Sequence, residues 1–234
     1  MTEELFRQDS YQTECTATVQ SADSGGIILD RTVFYPNGGG QPGDIGVLRF
    51  GDQEIPIVDT RKGDGGILHI PADEAVLPAV GETVTCEIDW SRRYRHMRMH
   101  TCMHVLCSLV DGAVTGGQAG ADKSRLDFDI PGERPDKDQL TARLMALVEA
   151  NHPLTITQIS DAELAANPDL VRTMSVQPPT GAGHVRMIRI GEDIDFQPCG
   201  GTHLKATGEI GAVRISKIEN KGKQNRRISI VFDA

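Results

Sequence analysis

No apolar run in the 234 residues approaches the roughly 18 that a membrane span needs, so a helical membrane protein is excluded. The first residues, Met1 to Tyr11, are acidic and polar, without the apolar stretch of a secretory signal, and a cytosolic location is expected. Cysteines are few. The five, at 15, 86, 102, 107 and 199, are an odd count without framework spacing, which excludes a disulfide scaffold and favours thiols or metal ligands in a reducing compartment. Basic residues are in deficit: 24 Lys+Arg against 33 Asp+Glu leaves a net charge of -9, superficially against a nucleic-acid partner. There is no internal repeat and no low-complexity tract. What is present is an ordinary globular composition, long enough for one large domain or two small ones around a hydrophobic core.

The charge is unevenly placed. Residues 1–89 hold 5 Lys+Arg against 16 Asp+Glu, a balance of -11, which leaves 19 against 17 for residues 90–234. In the second part Arg92, Arg93, Arg95 and Arg98 come with no acid between Ser91 and Val105, and Lys217, Lys221, Lys223, Arg226 and Arg227 surround only Glu219. These are either two solvated basic faces or contacts for an anionic partner.

From Thr13 to Asp89, short β-branched runs such as Glu14 to Val19, Gly26 to Leu29 and Glu82 to Ile88 are broken by glycine-rich turns, the pattern of a small barrel. The glycine-rich stretch from Phe34 to Asp44 reads as a loop. It lacks the Lys-Ser/Thr ending and the following helix of a phosphate-binding loop. Ser91 is a plausible N-cap, and from Arg92 to Gly112 the apolar spacing of Met99, Met103, Leu106 and Val110 is helical. After a loop from Thr115 to Ala121, Ser124 to Ile130 alternates like a strand. A second helix carries Leu140, Leu144, Leu147 and Val148 on one face and ends before Pro153, and Ser160 with Glu163 marks the capping box of a third. His184 to Ile190, Ala212 to Ile218 and Arg227 to Phe232 read as strands. The expectation is an α+β chain: a β-barrel-like domain over 1–89 with the glycine-rich loop, then an α+β domain over 90–234.

His100 and His104, at i and i+4 on the predicted helix, project from one face and can converge on one ion. Cys199-Gly200-Gly201-Thr202-His203 supplies a thiolate and an imidazole separated by glycines that let the backbone turn around a ligand. Cys107 shares the helical face of the two histidines and could replace Cys199; its alternative role is a small buried hydrophobe. His96, among arginines, reads as a surface or substrate-facing residue, and Cys15, Cys86 and Cys102 as packing. The site is not a zinc finger, since His104 and Cys199 lie 95 positions apart and no Cys-x-x-Cys exists. It is not a zincin either, because Thr101 stands where that helix needs glutamate. A nucleophile elbow is also absent. A metallohydrolase and a binding module with a structural metal both remain.

In order, His100-Thr101-Cys102-Met103-His104, Arg125-Leu126-Asp127-Phe128, and Cys199 to His203 followed by Thr207-Gly208-Glu209-Ile210-Gly211 resemble the editing domain of alanyl-tRNA synthetase. Phe34-Tyr35 with Gly39 to Gly46 resembles the segment that precedes that domain. The two domains leave no room for a class II catalytic core, so the chain resembles the free-standing editing proteins of the AlaX type, in their medium form. The resemblance implies a zinc site at His100, His104, Cys199 and His203, and hydrolysis of the ester that joins serine, and in some members glycine, to alanine tRNA. It places Gln118 near the amino-acid pocket. Thr101, Gly200, Gly201 and Thr202, interleaved with the ligands, are the other candidate substrate contacts, and Arg92, Arg93, Arg95, Arg98, Lys221, Lys223, Arg226 and Arg227 the candidate tRNA contacts.

A pocket shaped for alanine rejects glycine or serine by only a few kcal/mol, so a second site must remove the errors. Ester hydrolysis needs an activated water and a polarised carbonyl, and zinc can supply both. Four protein ligands nevertheless resemble a closed, structural site. The rivals are therefore a tRNA-binding module with a purely structural zinc and a generic small-ester metallohydrolase.

Overall fold

The computed structural model describes residues 2–174 and 183–233 of an α+β chain that packs as two compact units, residues 1–96 and 97–234. In the first unit six strands close into a barrel: β1 (Glu14–Asp23), β2 (Gly26–Leu29), β3 (Gly46–Phe50), β4 (Gln53–Gly63), β5 (Gly66–Pro71) and β6 (Thr83–Ile88), joined in the order β1-β2-β5-β4-β3-β6. Alternation explains the closure. Ala17 and Val19 of β1, Ile55 and Ile57 of β4, and Val84, Cys86 and Ile88 of β6 turn inward onto Leu48 and Phe34, while Thr16, Thr18 and Glu54 face solvent.

The loop from Phe34 to Asp44 is folded onto itself. Gly38 and Gln41 exchange backbone hydrogen bonds at 3.1 and 2.9 Å, and the Tyr35 hydroxyl donates to the Gly38 carbonyl at 2.8 Å. Gly39 and Gly40 take φ of 58° and 83°, the left-handed region that glycine enters without penalty. A Cβ at Gly43 would collide with the Thr60 carbonyl, so the strand and the loop can touch only through glycine.

Helix α1 (Trp90–Leu109) runs from the last turns of the first unit into the second. Its N-cap is Asp89, not Ser91: the Asp89 carboxylate accepts the Arg92 N–H at 3.0 Å, so a residue two positions before the predicted cap satisfies the open helix end. The 97–109 part buries Met97, Met99, Cys102, Met103, Val105, Leu106 and Cys107, apolar around most of its circumference as a central helix must be.

Among its described residues the second unit holds two sheets. One is antiparallel, in the order β12-β13-β8-β7, from β7 (Ala113–Gln118), β8 (Lys123–Asp129), β12 (Val213–Asn220) and β13 (Asn225–Phe232). The other joins β9 (Leu154–Ser160), β10 (His184–Ile190) and β11 (Asp195–Pro198) in that order. Most of the predicted loop from Thr115 to Ala121 is thus strand β7, whose Gly116 and Gly117 disguised it but whose ladder to β8 pairs Gln118 with Arg125. Helix α2 (Lys137–Glu149), capped by Asp136, buries Leu140, Leu144 and Val148. Its Thr141 hydroxyl accepts the Ile215 N–H of β12 at 3.1 Å. Helix α3 (Asp161–Ala166) opens on the expected Ser160–Glu163 capping box.

Candidate metal centre

Within the second unit, His100 and His104 on α1 meet Cys199 and His203, which follow β11, and the four ligand atoms lie within 4.8 Å of one another. The Cys199 sulfur is 3.6 Å from His100 Nε2 and 3.3 Å from His203 Nε2. A tetrahedral ion with the bond lengths typical of zinc has ligand–ligand edges of roughly 3.3–3.6 Å, so the two sulfur–nitrogen separations match such an ion and the set of three imidazoles and a thiolate suits its chemistry. His100, His104 and His203 are buried, whereas Cys199 and Gly200 are half-buried and form the solvent-facing edge.

The surrounding residues fix which nitrogen each imidazole presents. His104 Nδ1 donates to the buried Asp195 carboxylate at 2.8 Å, and Gln197 Nε2 donates to both Asp195 oxygens at 3.1 and 2.9 Å, leaving His104 Nε2 for a ligand. Thr101 Oγ1 lies 3.2 Å from His203 Nδ1 and accepts the Leu204 N–H at 3.2 Å, joining the helix to the loop and again leaving Nε2 inward. Arg186 of β10 donates to the carbonyls of Cys199 and Gly201 at 2.6 and 3.1 Å, and the Gly201 N–H donates to the Cys199 sulfur at 3.4 Å. The glycines of the motif therefore let the backbone fold back onto its own thiolate.

Electrostatics follow this geometry. Burial works against a charged Cys199, but His100 and His203 and the hydrogen bonds of His100 and His104 outweigh it and hold the thiol well below its ordinary range. Burial likewise disfavours a charged His104, yet Asp195 and Cys199 lift it to about 10. Burial, then the neighbouring His100, pushes His203 down to about 3. Cys107 stays outside the cluster, a buried thiol pushed up to about 12 by desolvation, so the helix contributes two histidines and no sulfur.

The other expected residues are dispersed. Gln118 is exposed at the end of β7; the preceding Gly117 lies against Met103 of α1, where a Cβ would come 3.4 Å from the methyl group. Thr101 and Thr202 are fully buried, and Gly201 is buried beside the half-buried Gly200. Among the arginines one correction is required. Arg93 is fully buried, ion-paired with Asp44, and donates to the Ser10 and Val33 carbonyls at 2.9 and 2.6 Å, so its guanidinium cannot reach a phosphate. Arg98 is half-buried, donates to the Ile210 carbonyl at 2.8 Å and covers the Phe232 ring at 4.0 Å. Arg227 is bidentate on Asp127 at 2.7 and 2.8 Å. Arg226 donates to loop carbonyls at 3.3 Å, Arg92 is half-buried, and Lys221 reaches Glu219 at 3.4 Å. Arg95 and Lys223 are exposed. Sequence reasoning missed Asp195, Gln197 and Arg186. Asp195 and Gln197 lie four and two residues before Cys199 on one face of a short strand, which is the one signal that could have found them.

Two family models match the chain. The threonyl and alanyl tRNA synthetase second additional domain covers residues 185–229, including Cys199 and His203, and a class II (A) tRNA synthetase model covers residues 5–92. The alanyl-tRNA editing protein AlaX-M of Methanosarcina acetivorans is 39% identical over 97% of this chain and 98% of its own length. That of Saccharolobus solfataricus is 33% identical over the same shares of each chain. The alanine–tRNA ligase of Pyrobaculum aerophilum is 38% identical over 93% of this chain but only 25% of the ligase.

Proposed function

The chain belongs to the family of alanyl-tRNA editing proteins, and from that premise we propose that it is an aminoacyl-tRNA deacylase acting in trans on mischarged alanine tRNA, with serine as the principal wrong amino acid and glycine as a second. The observation that carries this reading is the convergence of His100, His104, Cys199 and His203 beside a half-buried, solvent-facing edge. We assign the metal as Zn2+, on the match of three imidazoles and one thiolate to its preferences. When bound, zinc supplies Lewis-acid polarisation of an ester carbonyl or acidification of a water.

The chain's own residues do the rest. Asp195 and Gln197 hold His104 in one tautomer and one orientation, and Thr101 does the same for His203 while tying the loop to the helix. Arg186 pins the Cys199–Gly201 backbone, so the edge at which a tRNA 3' end would arrive is rigid. Gln118, Gly200 and, through their backbones, Gly201 and Thr202 are proposed to frame the amino acid. Arg92, Arg95, Arg98, Lys221, Lys223, Arg226 and Arg227 are proposed to meet phosphates, with the exposed members carrying most of the contact.

The test is multiple-turnover deacylation of alanine tRNA charged with serine, beside the same tRNA charged with alanine. Release of serine with alanine retained supports the reading. Protection of the seryl ester without turnover would identify a binding module with structural zinc, which the four-ligand set would also suit. Equal activity on small esters lacking tRNA would identify a generic hydrolase. Elemental analysis of the purified protein settles the metal.

A further inference from the structure

Two of the cysteines that sequence reasoning assigned to packing stand directly opposite one another. In the β1–β6 ladder of the barrel, Cys15 pairs with Cys86. The Ile88 N–H donates to the Thr13 carbonyl at 3.0 Å and the Val19 N–H to the Glu82 carbonyl at 2.9 Å, so every second pair between them, Cys15–Cys86 included, falls at a hydrogen-bonded position. Such pairs have Cα atoms about 5.5 Å apart, inside the range of about 4.4–6.8 Å that a disulfide spans. Both side chains turn onto the barrel core, and the two thiols are hydrogen-bonded to each other. Access differs: Cys86 is fully buried and Cys15 half-buried.

We infer that Cys15 and Cys86 form a redox-modification site, a dithiol that a peroxide converts to a cross-strand disulfide through Cys15. The hydrogen bond from Cys86 keeps the Cys15 thiol below its ordinary range against the opposing effect of burial, with help from the Val33 backbone and Arg31. The same hydrogen bond, then burial, raises Cys86. Cys15 is therefore the attacking sulfur and Cys86 the resolving one. The Cys15 thiolate attacks a peroxide oxygen; an S–O bond forms, the O–O bond breaks, and hydroxide leaves and takes a proton to become water. The Cys86 sulfur then attacks the Cys15 sulfenic sulfur. The S–S bond forms, the S–O bond breaks, and a second water departs with the Cys86 proton. The two thiols lose two electrons and the peroxide gains them. Because Cβ atoms of a hydrogen-bonded pair sit near the upper end of roughly 4.5–5.5 Å whereas disulfides average about 3.8 Å, closure draws the strands together and leaves a bond that a mild dithiol reopens.

The test treats the metal-loaded full chain with a small excess of hydrogen peroxide, alkylates it, digests it without reductant and maps the peptides by mass. The expected product is the Cys15 peptide joined to the Cys86 peptide, lighter than the two thiol peptides by two hydrogens and separated again by dithiothreitol. In Cys15→Ser, Cys86 should remain alkylatable under the same exposure. Cys15 recovered as sulfinic or sulfonic acid beside an alkylatable Cys86, both thiols alkylatable throughout, or Cys86 oxidised as fast in Cys15→Ser as in the parent would each overturn the assignment. The parent digest decides the matter even if the variant fails to fold.

Discussion

His69 shows what burial does to one titratable group. It lies in the barrel core, where Nδ1 donates to the Ile27 carbonyl at 2.9 Å and Nε2 accepts the Thr32 hydroxyl at 2.8 Å, a chain that the Phe34 N–H completes by donating to Thr32 at 3.0 Å. Burial holds the imidazole neutral down to about 4, from an ordinary 6.5. Below pH 6.5 the unfolded chain takes up a proton that the folded chain refuses until about pH 4, so the stability present above this window is lost as pH falls through it, by about 3 kcal/mol. Urea unfolding at pH 7 and pH 4 should show that loss, reduced in His69→Gln. Identical pH slopes in parent and variant would remove His69 as the cause. Asp195 is the second such residue. Asp195→Asn should weaken metal binding about 10–100-fold, as loss of a histidine-orienting carboxylate does, while leaving the fold intact. Competition against a chromophoric chelator measures it, and unchanged affinity would show that His104 needs no partner. Neither residue announced itself in the sequence. His69 is an isolated histidine in an apolar strand, and the tie of Asp195 to His104 spans 91 positions.

At the level of elements, legibility tracked local signals. The barrel strands and α2 carry their periodicity in side chains that face one core, and the capping box of α3 is written in four consecutive residues. In strand β9 the Leu154-Thr155-Ile156-Thr157 alternation breaks at Gln158-Ile159, and Thr155, Ile156, Thr157 and Gln158 are all exposed, so it builds no buried face, and in β7 glycines replace the side chains. The metal motif was legible for the opposite reason: each half is local, and only their meeting is tertiary. Helix α1 misled in its first turns, where four arginines looked alike although Asp44 had withdrawn one of them. Arg93→Ala strands a buried carboxylate and should cost about 3–5 kcal/mol in urea unfolding. The Arg93→Ala, Asp44→Ala double variant should lose less than the two single losses combined. A near-neutral Arg93→Ala with weakened tRNA binding would return Arg93 to the phosphate contacts.

For the whole molecule the question is how a chain of net charge -9 holds a polyanion. The bulk field opposes association, and the residues 1–89, at -11, oppose it most. Affinity must then come from a small number of local contacts, each displacing counterions from the RNA, and the exposure of the basic residues ranks them. Arg227 is half-buried against Asp127 and Arg98 half-buried against Ile210 and Phe232, whereas Arg95, Lys221 and Lys223 are exposed, and the ion pair of Lys221 with Glu219 faces solvent and is of the kind worth little. Replacing Arg95, Lys221 or Lys223 by Gln should weaken binding of different tRNAs by similar factors and flatten the log-log salt dependence by about one unit per contact removed. Arg227→Gln should instead destabilise the β8–β13 ladder while changing that slope less. The measurement is tRNA affinity over a salt series, with unfolding midpoints taken on the same preparations. If the three exposed positions leave the slope untouched and Arg227→Gln flattens it, the phosphates follow β13 rather than the exposed side chains, and the ranking by exposure fails.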